Sequence, residues 1–135
     1  MSTFPLKIVT PDGLIFDGEA QMVVVRTIEG DLAVMARHIN CVAPLGMGRA
    51  TIMDAEGNRR YAACIGGMLS VQQGQVSLVP TTFEWAESID AARAQLSLER
   101  AEKILNSKDA SSSDLKLAEA RLHRALVRKS VASYK

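Results

Sequence analysis

The sequence predicts a β + α protein: an N-terminal antiparallel β-sandwich over residues 1–87, followed by a C-terminal antiparallel two-helix hairpin over residues 88–135. Three observations lead there. Turn signals recur at short intervals through the first part and separate short β-rich runs. After Glu87 the composition switches to Ala, Leu, Glu, Arg and Lys, with no Gly or Pro from Ser88 to Leu105. Two stripes of Ala and Leu at spacings of three and four then flank a polar, serine-rich stretch.

The turn signals are Pro11-Asp12-Gly13, Asp17-Gly18, Glu29-Gly30-Asp31, Glu56-Gly57-Asn58, Gly66-Gly67 and Gln73-Gly74. Between them lie candidate strands at Met22–Val25, Leu32–Met35, Arg49–Met53, Met68–Val71 and Val76–Val79. Around Val76 and Leu78 the apolar residues alternate with Gln75 and Ser77, the period of a half-buried strand. Glu56-Gly57-Asn58 reads as a hairpin tip. In the second part, Ser88 is placed to cap the first helix and Asp90 to complement its dipole. Ala91, Ala94, Leu98, Ala101 and Leu105 share one face of that helix. Asn106 to Ser113 reads as a loop, and Ser111 with Asp114 as a capping box. Leu115, Ala118, Leu122 and Ala125 line the second helix. Stripes so rich in alanine pack closely but bury little area, so the hairpin is expected to be marginally stable by itself.

Composition narrows the function. The chain has 135 residues and a net charge of +1, which is no general attraction for DNA or membranes. Three Phe, two Tyr and one Trp offer little for stacking on bases, so no nucleic-acid partner is expected. No run of about 18 apolar residues occurs, so no membrane-spanning helix is expected, nor is a secretion signal. Cys41 and Cys64 sit in apolar runs; a disulfide is possible, but two buried thiols are the better reading. Metal-ligand spacing is absent from the Cys and His positions, and no metal or required cofactor is expected. With His38 and His123 in different halves, and no nucleophile elbow, phosphate-cradling loop or HExxH motif, no catalytic set is expected either.

Charge is unevenly distributed. Residues 114–135 carry +4, leaving −3 on the rest of the chain. Arg121, Arg124 and Arg128 recur at spacings of three and four and form a basic face. A solvated face is the ordinary reading of such a run, yet arginines suit bidentate contact with carboxylates or phosphates. If the helices are antiparallel, Arg93 at the start of the first lies beside Arg124 and Arg128 late in the second.

Four segments, in order, resemble the epsilon subunits of bacterial F-type ATP synthases over essentially the whole length. Val9-Thr10-Pro11-Asp12-Gly13 is similar to the family's opening hairpin, and Glu29-Gly30-Asp31-Leu32-Ala33-Val34 to its acidic Gly-Glu-Leu-Gly-Ile segment. Gly66-Gly67-Met68-Leu69-Ser70-Val71 resembles its Gly-Gly-Phe-Leu-Glu-Val strand, with Ser70 in place of the usual Glu. Ile89-Asp90-Ala91-Ala92-Arg93-Ala94 matches its (Ile/Leu)-Asp-x-x-Arg-Ala motif in full. The family's Pro-Gly-His-x-Pro-Leu is replaced by Ala36-Arg37-His38-Ile39-Asn40-Cys41, which keeps only the histidine. Arg37 tolerates a positive φ poorly where glycine would not, so this loop is expected to take a different path.

The resemblance implies a non-catalytic subunit on the cytoplasmic face of the bacterial cell membrane, attached to it only through the complex. The sandwich would clamp the gamma subunit to the ring of c subunits and rotate with them during proton-driven ATP synthesis. Both Asp31 and His38 would lie near the bottom of the sandwich, Asp31 facing the c ring and His38 near gamma. The hairpin would regulate, extending along gamma to inhibit ATP hydrolysis and placing Arg121, Arg124 and Arg128 against acidic surfaces of the alpha and beta subunits. ATP would be its regulatory ligand. ATP-binding members share the first-helix motif together with an Arg-Ala-x-x-Arg run, here Arg124-Ala125-Leu126-Val127-Arg128. Glu84, Ile89, Asp90, Arg93, Ala94, Arg100, Arg124 and Arg128 would then form the nucleotide site. A purely structural rotor subunit is the alternative within the family, and a basic-helix nucleic-acid module the alternative outside it.

Overall fold

The computed structural model describes residues 2–134. The chain divides into two compact units, the first ending at Trp85 and the second beginning at Ala86.

Nine strands pair in the first unit: β1 (Phe4–Thr10), β2 (Gly13–Thr27), β3 (Gly30–Met35), β4 (Cys41–Pro44), β5 (Met47–Asp54), β6 (Arg59–Ile65), β7 (Met68–Gln72), β8 (Gln75–Val79) and β9 (Thr82–Trp85). All five candidate strand segments fall inside these elements. The strand order is β4-β7-β8-β1-β2-β5-β6-β9, with β3 added to β2. Every pairing is antiparallel except that of β1 with β8, where Leu6, Lys7 and Ile8 lie beside Val76, Ser77 and Leu78 in parallel. The long β2 pairs with β1 through its first half and with β3 and β5 through its second, so it serves both layers. Irregular register at Ile8/Val9 and between Ala20 and Met22 lets the ribbon turn from one layer to the other.

Alternation builds the core. Phe4, Leu6 and Ile8 of β1 are buried while Pro5 and Lys7 between them are exposed. Val23, Val25, Val34, Ile52, Leu69, Val71, Val76, Leu78 and Phe83 complete the same cluster. One end of the sandwich is closed by tight backbone contacts: Gly66 donates to the Gly46 carbonyl at 3.0 Å, and Leu45 donates to the Gly67 carbonyl at 2.9 Å. Gly67 has φ +96°, and a Cβ there would lie 2.0 Å from the Val79 carbonyl oxygen and 2.6 Å from Pro80 Cα. Only glycine fits that conformation in that space.

The second unit comprises a short 3-10 turn (Ala86–Ser88), α1 (Ala91–Leu105) and α2 (Ser112–Ala132). The cap of α1 is Asp90, not Ser88: Arg93 N–H donates to Asp90 Oδ1 at 3.0 Å, while Ser88 ends the 3-10 turn. An N-cap oxygen needs the amide three residues on. For Ser88 that is Ala91, whereas Asp90 reaches Arg93, and its extended backbone (φ −82°, ψ 101°) starts the helix there. The capping box at α2 is present in both directions, Asp114 N–H donating to Ser111 Oγ at 3.1 Å and Ser111 N–H to Asp114 Oδ2 at 3.4 Å. Residues 106–111 link the helices, and a hollow beside the link draws Ile104 of α1 together with Asp114, Leu117, Ala118 and Arg121 of α2. The end of α1 therefore meets the start of α2, which makes the pair antiparallel. Ala94, Leu98, Ala101, Ala118 and Ala125 are buried, whereas Ala91 is exposed. Among the described residues, no helix is long and apolar enough to cross a membrane.

Candidate functional site

The residues singled out in the hairpin divide by burial. Ile89 (1% exposed) and Ala94 (0%) are packing residues, whose side chains contribute shape rather than ligand contacts. Arg93, Arg100 and Arg124 are exposed, and Arg128 is half-buried with its Nε atom enclosed. Because the helices are antiparallel, Arg93 in the first turn of α1 lies at the same end of the hairpin as Arg124 and Arg128. Arg100 is two turns along α1, about 10 Å from Arg93. Asp90 spends Oδ1 on the helix cap, so its other oxygen is the one directed outward. Arg121 lies toward the other end, where it lines a hollow of about 290 Å³ with Ser107, Asp109 and Asp114. Two carboxylates, Asp109 and Asp114, line that hollow with it. Glu84 belongs to β9 in the first unit and is half-buried.

On the sandwich, Asp31 and His38 do not share an end as expected. Asp31 begins β3 beside the Ile28–Glu29 turn, and Arg26 Nη1 reaches its Oδ1 at 3.5 Å. His38 lies past the other end of β3, its N–H donating to the Met35 carbonyl. Extended β3 sets Asp31 about 13 Å from Met35, and His38 follows the turn after Met35. The His38 loop is tied down by Asn40 Oδ1, which accepts from Gln73 N–H at 2.8 Å. His38 Nδ1 stands 2.8 Å from the Ile39 carbonyl and 3.9 Å from Cys41 Sγ. Arg37 adopts φ +68°, the left-handed conformation that a glycine takes without cost. An L-residue there costs about 1–2 kcal/mol.

Both cysteines are free. Burial pushes the Cys64 thiol up to about 12, which keeps it protonated, while Cys41 is only half-buried. Among the described residues, no group of three His, Cys, Asp or Glu side chains is placed to hold a metal.

The fold is thus a β-sandwich with one parallel strand pair, followed in the chain by an antiparallel helical hairpin that carries Arg93, Arg124 and Arg128 toward one end and Arg121 toward the other. Residues 3–86 match the family model for the ATP synthase delta/epsilon chain β-sandwich domain, and residues 87–133 match the model for its long α-helix domain. The chain belongs to the ATP synthase delta/epsilon chain family. It is 40% identical over 135 residues to the ATP synthase epsilon chain of Shouchella clausii, covering 100% of this chain and 98% of that one. It is 42% identical over 132 residues to the ATP synthase epsilon chain of Bacillus velezensis, covering 98% of each. A chain from the Euglena gracilis mitochondrial ATP synthase shares the fold with a TM-score of 0.86 at 22% identity, covering 100% of this chain and 83% of that chain.

Proposed function

We propose that this chain, a non-catalytic central-stalk subunit of an ATP synthase, couples the gamma subunit to the c ring through its sandwich and restrains ATP hydrolysis through its hairpin. Full-length similarity to ATP synthase epsilon chains supports the stalk role. It also supports a peripheral position on the cytoplasmic face of the membrane, in a complex that moves protons. The observation that carries the regulatory role is the make-up of the hairpin. The buried positions of its helices are mostly alanine, Ala94, Ala101, Ala118, Ala125 and Ala132, with Leu98 and Val131 the larger side chains among them. Small residues give close packing with little buried area, so a ligand of modest affinity can shift such an element between two states.

ATP is the ligand we assign to the open end. Arg93, Arg124 and Arg128 lie at one end of the hairpin, and a triphosphate would meet their guanidinium groups through charge-assisted hydrogen bonds. Asp90 Oδ2 would take the adenine amino group, with Arg100 as a further member of the site. Bound ATP favours the folded hairpin. In its absence the helices extend, and the basic face of α2, with Arg121, meets acidic surfaces of the alpha and beta subunits.

Two measurements test this reading. Calorimetric titration of the full chain should show ATP binding between about micromolar and millimolar Kd, weakened at least tenfold, about 1.4 kcal/mol, by Arg93→Ala with Arg128→Ala. No binding at millimolar ATP, or equal binding by the double variant, removes the nucleotide site. Reversing Arg121, Arg124 and Arg128 to Glu should raise ATP hydrolysis by the reassembled complex. An unchanged rate leaves a purely structural rotor subunit.

A further inference from the structure

β3 leaves one edge open, as do the terminal strands β4 and β9. β3 pairs with β2 alone, from Thr27↔Gly30 to Met22↔Met35. The two-residue turn Ile28–Glu29 makes Thr27 and Gly30 the first hydrogen-bonded pair. Alternation then directs the Leu32 and Val34 backbone groups into the ladder and those of Asp31, Ala33 and Met35 outward. Two contacts bear this out. Met35, predicted to face outward, offers its carbonyl to His38 N–H. Arg26, opposite Asp31, turns its carbonyl to the far edge of β2, where it accepts from Gly46 N–H at 2.9 Å. The side chains of Asp31, Ala33 and Met35 are exposed as well, Met35 by 52%.

A row of methionines runs up to this edge. Met53, Met22 and Met35 lie in direct register across β5, β2 and β3 on the outer face, and Thr51, Val24 and Ala33 form the next row. Three thioethers side by side make a deformable apolar strip. Nothing blunts the edge along its middle: no lysine, proline or bulge interrupts Ala33 to Met35, and the Arg26–Asp31 pair lies at one end only.

We propose that the β3 edge is a strand-addition site, taken up by an extended segment of a neighbouring stalk subunit that continues the sheet beyond β3 and rests on the methionine row. This rests on the stalk-subunit reading above. Three considerations identify the occupant. Only an extended backbone supplies donors and acceptors at the spacing the edge presents. From Asp31 to Met35 the edge spans about 13 Å, too short by itself for a stable interface of roughly 1,600 Å², so the strand must belong to a folded partner rather than a free peptide. A second copy fits poorly, since antiparallel pairing of two β3 strands about Ala33 sets each Asp31 carboxylate against the other copy's Met35.

The test is amide hydrogen exchange of the full chain, free and rebound to ATP synthase stripped of this subunit. The Asp31, Ala33 and Met35 amides should exchange freely in the isolated chain and at least tenfold more slowly in the complex. Ala33→Pro removes an outward N–H and no ladder bond, so it should leave the melting temperature of the free chain close to wild type while weakening rebinding at least tenfold. Met35→Gln, which keeps every backbone group, should rebind more weakly than wild type but more tightly than Ala33→Pro. Rebinding with unchanged exchange at these three amides, or wild-type rebinding by Ala33→Pro, overturns the strand-addition site and leaves the stalk reading intact. Failure of the wild-type chain to rebind at all overturns both. Protection that instead rises with the concentration of the free chain assigns the edge to a second copy and overturns the proposed occupant.

Discussion

Replacing Gly67 by alanine tests how far one close backbone approach holds the sandwich shut. The new Cβ would stand 2.0 Å from the Val79 carbonyl oxygen, 2.6 Å from Pro80 Cα and 2.9 Å from the Val79 carbonyl carbon. All three are backbone atoms, so no side chain can swing aside, and the end of β8 must move by about 1 Å or more to reach ordinary contact distance. Two costs add. Holding an L-residue at φ +96° takes about 1–2 kcal/mol, and overpacking adds about 1–3 kcal/mol, for about 2–5 kcal/mol in all. Gly57→Ala is the matched control: its φ is +88°, and nothing lies within 4 Å of its Cβ position, so only the first cost applies. Urea unfolding followed by the fluorescence of Trp85, the sole tryptophan, reads the sandwich directly. With a slope of about 2 kcal/mol per molar, the Gly67→Ala midpoint should fall by about 1 M or more, clearly below that of Gly57→Ala. If the two variants lose the same stability, the close approach to Val79 and Pro80 is not what requires glycine.

Two further outcomes are expected. Ser111→Ala removes the acceptor for Asp114 N–H and half of the capping box, and should lower hairpin stability by about 1 kcal/mol, seen as an earlier loss of helical circular dichroism with the Trp85 transition unchanged. The Cys64 thiol, ordinarily near 9.0, is raised by burial to about 12. Its folded pKa exceeds its unfolded one, so its contribution is complete below about 9 and is lost as pH climbs toward 12. Unfolding free energy should therefore fall across that window, and Cys64→Ala should flatten the fall; an equal slope in the variant assigns the alkaline loss to other groups.

Much of the architecture was legible because it rests on local rules. Alternation marked β8, the Glu56-Gly57-Asn58 turn marked the β5–β6 hairpin, and Ser111 with Asp114 marked the start of α2. The features that escaped depend on partners distant in sequence. Nothing within residues 4–10 or 75–79 says that β1 and β8 lie side by side in parallel, and β4 is four residues long with a terminal proline, too short for a periodic signal. Ser88 and Asp90 are both good cap residues; the choice fell to Asp90 through backbone geometry that composition does not encode. The candidate site was legible in its cations and less so in their settings. Spacing placed Arg121, Arg124 and Arg128 on one face, but burial separates the half-enclosed Arg128 from its neighbours, and the turn between the helices gives Arg121 acidic company. Asp31 and His38 are close in sequence, and an extended strand carries them apart.

The parallel pairing of β1 with β8 also orders events during synthesis. β1 is finished by Thr10 and meets β2 almost at once, but its other neighbour, Gln75–Val79, emerges some 65 residues later. The local hairpins β1–β2, β2–β3, β5–β6 and β7–β8 close short loops, whereas joining β1 to β8 closes nearly the whole unit. Contacts of such long range are the slow ones. Until Val76 and Leu78 arrive, one flank of β1 stays open on the nascent chain, and its apolar row of Phe4, Leu6 and Ile8 lacks the neighbours that later cover it. The helices come last in the chain, so every strand of that seam is made before the hairpin is.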